Sequence, residues 1–72
     1  MKNFYLTFGQ SHAHSVSGRT FDKDCVAVIK AQDEGEARKI AFDTLGDKWC
    51  FLYDKKEDVG MQYYSRGLMN LN

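Results

Sequence analysis

The chain has 72 residues, of which 43% are hydrophobic and 14% aromatic, with ten basic side chains balanced by ten acidic ones and no proline. This length accommodates one small domain, residues 1–72, and the composition is that of a folded chain rather than a disordered one. A net charge of zero provides no global field that would draw the protein to nucleic acid or to an anionic membrane. No run approaches the roughly 20 apolar residues that cross a bilayer, and the N-terminal residues lack the features of a secretory signal. We therefore expect a cytoplasmic protein with no membrane partner and no strong nucleic-acid signal.

The two cysteines, Cys25 and Cys50, are each flanked by apolar residues in a predicted strand. A secreted disulfide framework requires a denser set of cysteines. We expect two buried, reduced thiols that act as small hydrophobic side chains.

Two stretches predict strands. Residues 3–8 alternate, with Phe4, Leu6 and Phe8 on one face, which is the period of a half-buried strand. Residues 25–31 are apolar on both faces apart from Lys30, which suits an inner strand covered on both sides.

The clearest helix signal follows Asp33. This residue precedes EGEARKIAFDTLG, and Glu36 lies three residues later, as in a capping box. Gly46 then predicts a left-handed C-terminal cap. The expected apolar stripe consists of Ala37, Ile40, Ala41, Thr44 and Leu45. The outer face, with Arg38, Lys39 and Asp43, is expected to be solvated.

A third strand is predicted over residues 48–53, with Trp49, Phe51 and Tyr53 on one face as core residues. Residues 61–65 predict a short fourth strand or an edge segment. The order is β, long loop, β, α, β, with an optional terminal β. This order predicts an α+β fold, a small three- to four-stranded antiparallel or mixed sheet with one helix packed on one face.

The long connection at residues 9–24 is the first candidate site. Connections longer than roughly 12–15 residues without secondary structure are usually functional or disordered. Its donors could hold a phosphate-bearing nucleotide, with glycines allowing close backbone approach. The candidate ligand-binding residues are Gln10, His12, His14, Arg19 and Lys23. Three alternatives remain open: a polar loop that binds protein, a solvated polar loop without a ligand, and a zinc-stabilised domain.

The zinc alternative depends on the spacing of the two histidines. In an extended backbone, His12 and His14 point the same way, and Cys25 or Asp24 could complete a site with them. A single HxH without a paired CxxC is a weak zinc signal, so no metal or cofactor is assigned.

A second candidate site is the C-terminal patch of Tyr63, Tyr64 and Arg66. Tyrosine and arginine dominate protein-binding hot spots, so an exposed patch of this composition predicts a protein interface. No nucleophile elbow, Walker-type phosphate loop or paired carboxylates indicate catalysis. We expect a protein that is not an enzyme.

The segments FGQ-H, DKDC and GDKW, in this order, resemble a family of short proteins encoded by bacteriophages and prophages. The resemblance covers most of the chain, up to about residue 53. The matching residues are Phe8, Gly9, Gln10, His12, Asp22, Lys23, Asp24, Cys25, Gly46, Asp47, Lys48 and Trp49.

This resemblance implies a context rather than a mechanism. Small phage proteins of this kind are often host-takeover or counter-defence factors, which occupy a host protein, as anti-CRISPR proteins do, or sequester a nucleotide signal. The expected function is a non-enzymatic inhibitor that binds a bacterial host or defence protein in the host cytoplasm. The alternative is a binder of a small nucleotide. A nucleotide site shared across a homodimer interface is one form of this alternative, so a second copy is a further candidate partner.

Overall fold

Four strands form one mixed sheet, and a hairpin and a helix pack with it. The computed structural model describes residues 1–9, 13–16 and 18–72, and for residues 14 and 16 it describes the backbone alone. The elements in chain order are β1 (Lys2–Thr7), β2 (His14–Val16), β3 (Arg19–Phe21), β4 (Cys25–Ala31), α1 (Glu34–Leu45), β5 (Phe51–Tyr53) and β6 (Gly67–Asn70). Within this part of the chain, no helix has the length and apolar character that a membrane span requires.

The sheet has the order β5-β1-β4-β6. β1 is antiparallel to both β4 and β5, and β6 is parallel to β4. β4 and β5 therefore run in the same direction on either side of β1, and α1 connects them. The predicted α+β fold with one helix is confirmed, and the sheet is the mixed alternative with four strands.

Local sequence signals determine where α1 begins and ends and which of its faces is buried. The Asp33 carboxylate accepts a hydrogen bond from the Glu36 backbone at 2.8 Å, and Glu36 accepts one from the backbone of Gln32 at 3.0 Å, one residue before the position of a standard capping box. Gly46 caps the helix with φ 66° and ψ −130°, so its φ is positive but its ψ is not left-handed helical as predicted. Of the predicted stripe, Ala37, Ala41 and Leu45 are buried, Ile40 is half-buried and Thr44 is exposed.

The core lies between one face of the sheet and the layer formed by α1 and the β2–β3 hairpin. Alternate residues of β1, Phe4 and Leu6, point into it, as predicted, and the three small or apolar residues Ala37, Ala41 and Leu45 meet them from the helix. Phe21 of the hairpin is fully buried, and its ring centroid lies 5.5 Å from that of Phe8. The hairpin is thus part of the hydrophobic core.

The opposite face of the sheet is partly covered by the segment that connects β5 and β6. This segment contains two short 3-10 turns, Lys56–Asp58 and Met61–Tyr63. Val26 and Val28 of β4 are buried on this face. The expectation that β4 is covered on both sides is therefore confirmed.

The predicted long loop contains regular structure. β2 and β3 pair antiparallel, with Ser15 opposite Thr20, and Gly18 lies in the turn between them with φ +78°. Burial of the Phe21 side chain in the core stabilises the extended backbone of the hairpin. This stabilisation comes from tertiary contacts, so the polar composition of residues 9–24 does not indicate it.

The fourth strand lies further along the chain than expected. Residues 61–65 are not a strand, since Met61–Tyr63 is a 3-10 turn, and the strand is Gly67–Asn70. β6 pairs in parallel with β4, and Leu71, the residue that follows β6, is buried in the core. These long-range contacts decide the position of β6.

The third strand is shorter than residues 48–53. Trp49 lies before it and packs against the core, whereas Phe51 and Tyr53 do not share that face. Cys25 is buried as predicted, but Cys50 is exposed, so the prediction of two buried thiols is wrong for Cys50. The alternation does not extend to residues 48–50, because regular pairing begins only at Phe51.

Candidate functional site

Aromatic side chains gather on the sheet face that points away from α1. In the register of β1 and β5, Tyr5 lies opposite Tyr53 and Thr7 lies opposite Phe51. Since the alternate residues of β1 point into the core, these four side chains lie on the other face. The ring centroids of Phe51 and Tyr53 are 6.2 Å apart, within the range of an aromatic contact.

Tyr64 joins this group from the segment that crosses the face. A hydrogen bond joins the side chains of Tyr64 and Thr7, which places the phenol beside β1. Burial, and to a smaller extent the neighbouring Tyr53, raise the pKa of Tyr64. We call Tyr5, Phe51, Tyr53 and Tyr64 the aromatic face.

Part of this aromatic surface is open to solvent. Phe51 is 62% exposed, and Tyr63, next to Tyr64 in the chain, is 77% exposed. The segment DKKED, residues 54–58, follows β5 with five exposed side chains of both charges. An aromatic centre beside charges of both signs is the composition of a protein-binding surface, whereas a nucleic-acid surface would be basic.

Arg66, predicted to belong to the same patch, contacts the hairpin. Its guanidinium forms an ion pair with Asp22 at 3.0 Å and donates a hydrogen bond to the Thr20 carbonyl at 2.9 Å. Its backbone N–H donates to the Asp24 carbonyl at 2.8 Å. Of the predicted patch, Tyr64 lies on the aromatic face, Tyr63 is exposed beside it, and Arg66 ties the hairpin to the start of β6.

The two described cations of the predicted ligand-binding loop have separate protein partners. Arg19 donates a hydrogen bond to the Asn70 carbonyl, and its guanidinium lies 5.5 Å from the centroid of the Phe21 ring. Lys23 pairs with Asp24 at 3.6 Å, with both side chains largely exposed. Gln10, His12 and the side chain of His14 lie outside the described residues.

Cys25, one candidate to complete a zinc site, is held in the turn before β4. Its thiol donates to the Asp22 carbonyl at 3.6 Å and accepts from the Asp22 N–H at 3.3 Å. Burial raises the pKa of the Cys25 thiol, which disfavours the thiolate that zinc requires. The described part of the chain brings no three His, Cys, Asp or Glu side chains together in a metal-binding group, and it encloses no pocket.

The alternation of residues 48–53 predicts Phe51 and Tyr53 in the core, so it does not indicate the aromatic face. One signal could have indicated it. Tyr5 and Thr7 alternate with the apolar residues of β1, so an antiparallel neighbour rich in aromatics would align its own rings beside them. The register of that neighbour was the missing information.

Comparisons with protein-family models, with curated proteins and with solved structures find no match to this chain.

Proposed function

We propose that this chain is a non-enzymatic, phage-derived binding protein that inhibits a bacterial host or defence protein by occupying its surface in the host cytoplasm. The observation that supports this proposal is the solvent-exposed part of the aromatic surface, with Phe51 62% exposed and Tyr63 77% exposed. Exposed apolar patches on a protein surface mark interaction sites, and aromatic side chains are enriched among the residues that contribute most of the binding energy at such sites.

The scaffold around these rings is suited to rigid presentation. Tyr53 and Tyr64 are half-buried; Tyr53 lies opposite Tyr5 in the sheet, and Tyr64 is held by its side-chain hydrogen bond with Thr7. Rings held in place before binding lose little conformational entropy when a partner covers them. The exposed Phe51 and Tyr63 would then insert into apolar pockets of the partner.

The test compares matched variants in capture from a lysate of the bacterial host. The wild-type chain, Tyr63→Ser, Phe51→Ser and the control Lys39→Ser are immobilised, and the bound proteins are quantified by mass spectrometry. Lys39 is exposed on the outer face of α1, so its replacement leaves the aromatic face intact. We expect one stoichiometric partner on the wild type and on the control.

Loss of either ring should weaken binding of the purified partner by at least about 30-fold, because truncation of a hot-spot residue costs about 2 kcal/mol or more. The same partner should lose its own activity when the wild-type chain is added in stoichiometric amount. Capture that is equal for wild type and both ring variants would contradict the proposal.

The nucleotide alternative predicts a different result. If residues 9–24 hold a nucleotide, native mass spectrometry of gently purified protein would show extra mass that is lost on denaturation. A nucleotide at about 100 times its Kd would also stabilise the fold by about 2.7 kcal/mol. Retained nucleotide together with no stoichiometric protein partner would replace the proposed function with this one.

A further inference from the structure

Lys30 of β4 lies on the same side of the sheet as the aromatic face. Alternate residues of β4 point into the core, so Lys30 lies on the opposite side together with Val26 and Val28. Lys30 is exposed, whereas every other residue of β4 is buried. Packing of the sheet does not require a charge at this position.

Hydrogen bonds fix the backbone of Lys30 in the sheet. Its N–H donates to the side-chain oxygen of Asn72 at 2.9 Å, and its carbonyl accepts from the side-chain amide of Asn72 at 3.0 Å. Both backbone groups of Lys30 therefore point away from β1, which makes Lys30 and Asn3 of β1 a non-hydrogen-bonded pair. The side chains of such a pair lie closer together than those of a hydrogen-bonded pair. Lys30 thus has a defined place beside Asn3.

This place is close to the aromatic face. Tyr5 is the next residue after Asn3 on the same side of β1, so it is the diagonal neighbour of Lys30. Diagonal neighbours are about 7–8 Å apart, within reach of a long side chain. Tyr53 lies one strand further, opposite Tyr5. With strands about 4.8 Å apart and residues about 3.4 Å apart along them, the Cα atoms of Phe51 and Lys30 are separated by roughly 17 Å, which one interface of ordinary size spans.

The charge of Lys30 is left to solvent. None of the ion pairs in the described part of the chain involves Lys30. Among the described strand residues that share this side of the sheet, no other is charged. Its exposed neighbours Asn3 and Asn70 carry neutral amides. The aromatic face is therefore bordered on its β4 side by a single positive charge.

We propose that Lys30 selects the partner of the aromatic face, which places a carboxylate on Lys30 and apolar side chains against Tyr5, Tyr53 and Phe51. A partner that covers Tyr5 also covers its diagonal neighbour and removes water from the ammonium group. A charge that loses water without an opposite charge is costly. A carboxylate of the partner offsets this cost, and a cation at the same place is repelled. This inference rests on the proposed function, in which a partner occupies the aromatic face.

The test uses a library of random peptides displayed on yeast, so it requires no host protein. Peptides are selected on the wild-type chain, on Lys30→Glu and on the control Lys39→Glu, and those that still bind a Phe51→Ser variant are discarded. Lys39 is exposed on α1, so the control makes the same charge change away from the sheet. We expect peptides with Asp or Glu beside apolar residues on the wild type and the control. On Lys30→Glu, the selected peptides should carry Lys or Arg instead.

The affinities of single peptides separate charge from packing. Binding of an acidic peptide should weaken at least about 10-fold in Lys30→Glu, where like charges meet. It should weaken about 2- to 5-fold in Lys30→Met, which removes the charge and keeps an apolar side chain. Lys39→Glu should stay within about twofold of the wild type. Added salt should weaken binding to the wild type more than binding to Lys30→Met.

Equal acid content in the peptides selected on the wild type and on Lys30→Glu would overturn the role of Lys30. A library that yields no peptide dependent on Phe51 would also overturn the proposal, because the surface then holds no segment of this chemistry. A lysate without a stoichiometric partner counts against the proposed function alone and leaves the peptide results unchanged. Circular dichroism of each variant verifies that the fold is retained.

Discussion

Gly9, two residues after the end of β1, lies against the side chain of Cys50. Gly9 has φ +71°, and a Cβ built on it would lie 2.6 Å from the Cys50 Sγ. Gly18 has a similar φ of +78°, but no atom lies within 4 Å of its added Cβ. Both glycines therefore have a positive φ that an L-residue adopts only with strain, and at Gly9 a side chain would also clash with the Cys50 thiol.

We predict that Gly18→Ala lowers the free energy of unfolding by roughly 1–2 kcal/mol, the cost of a left-handed backbone for an L-residue. Gly9→Ala should cost more, because the Cys50 thiol must also move. Urea denaturation measures both costs. In a Cys50→Ala background the excess cost at Gly9 should vanish, and an unchanged excess would show that the thiol is not responsible.

Among the secondary-structure elements, the β2–β3 hairpin and β6 are joined by two arginine side chains. Arg19, at the start of β3, donates to the Asn70 carbonyl at the end of β6, and Arg66, just before β6, donates to the Thr20 carbonyl and pairs with Asp22. Each arginine reaches from its own segment to the other. The hairpin is thereby held along the edge of the sheet by side chains.

We predict that Arg66→Ala lowers the free energy of unfolding by about 1 kcal/mol, because it removes a charged hydrogen bond and a partly shielded ion pair. The corresponding fall in Tm is about 4–8 °C. Arg38→Ala is the matched control, since Arg38 forms an exposed ion pair with Glu34 at 3.7 Å, which is worth about 0.3 kcal/mol. Equal shifts in the two variants would contradict the role of Arg66.

The elements that could be predicted from the sequence are those whose signals are local. α1 follows from Asp33, Glu36 and the apolar period, and β1 and β4 follow from alternation and from a continuous apolar run. β6 and the hairpin could not be placed, because their strands depend on contacts with residues far along the chain. Arg66 at Asp22 and Leu71 in the core are such contacts.

The candidate site was predictable in composition but not in arrangement. Tyr63 and Tyr64 were identified from residue type, and Tyr64 lies on the aromatic face. Phe51 and Tyr53 were assigned to the core, because alternation alone does not tell which face of a short strand is buried. The register with Tyr5 decides it.

At the scale of the whole molecule, the buried thiol of Cys25 and the half-buried phenol of Tyr64 connect stability to pH. Burial raises the pKa of the Cys25 thiol, and burial with a contribution from Tyr53 raises the pKa of Tyr64. Above about pH 8.5, the ordinary value for a thiol, the unfolded chain releases a proton that the folded chain retains. The unfolded state is then favoured as the pH rises.

We predict that the free energy of unfolding, measured by urea denaturation with a reducing agent present, declines as the pH rises above about 8.5. Tyr64 should add to the decline above about pH 10, the ordinary value for a phenol. Cys25→Ala should lower the free energy of unfolding at neutral pH, but between about pH 8.5 and pH 10 this free energy should change less with pH than in the wild type. A slope in this variant equal to that of the wild type would assign the effect to other groups.

The sheet order also determines how the chain reaches its native state. Strands that are neighbours in the sheet are distant in sequence, with Leu6 opposite both Ala27 and Leu52, and Val28 opposite Asn70. Such pairings require large loops to close before any contact rewards them, which slows folding relative to a helical bundle of equal size. The chain contains no proline, so refolding has no isomerisation phase of tens of seconds. We therefore expect closure of these long loops, rather than proline isomerisation, to be the slow process in its refolding.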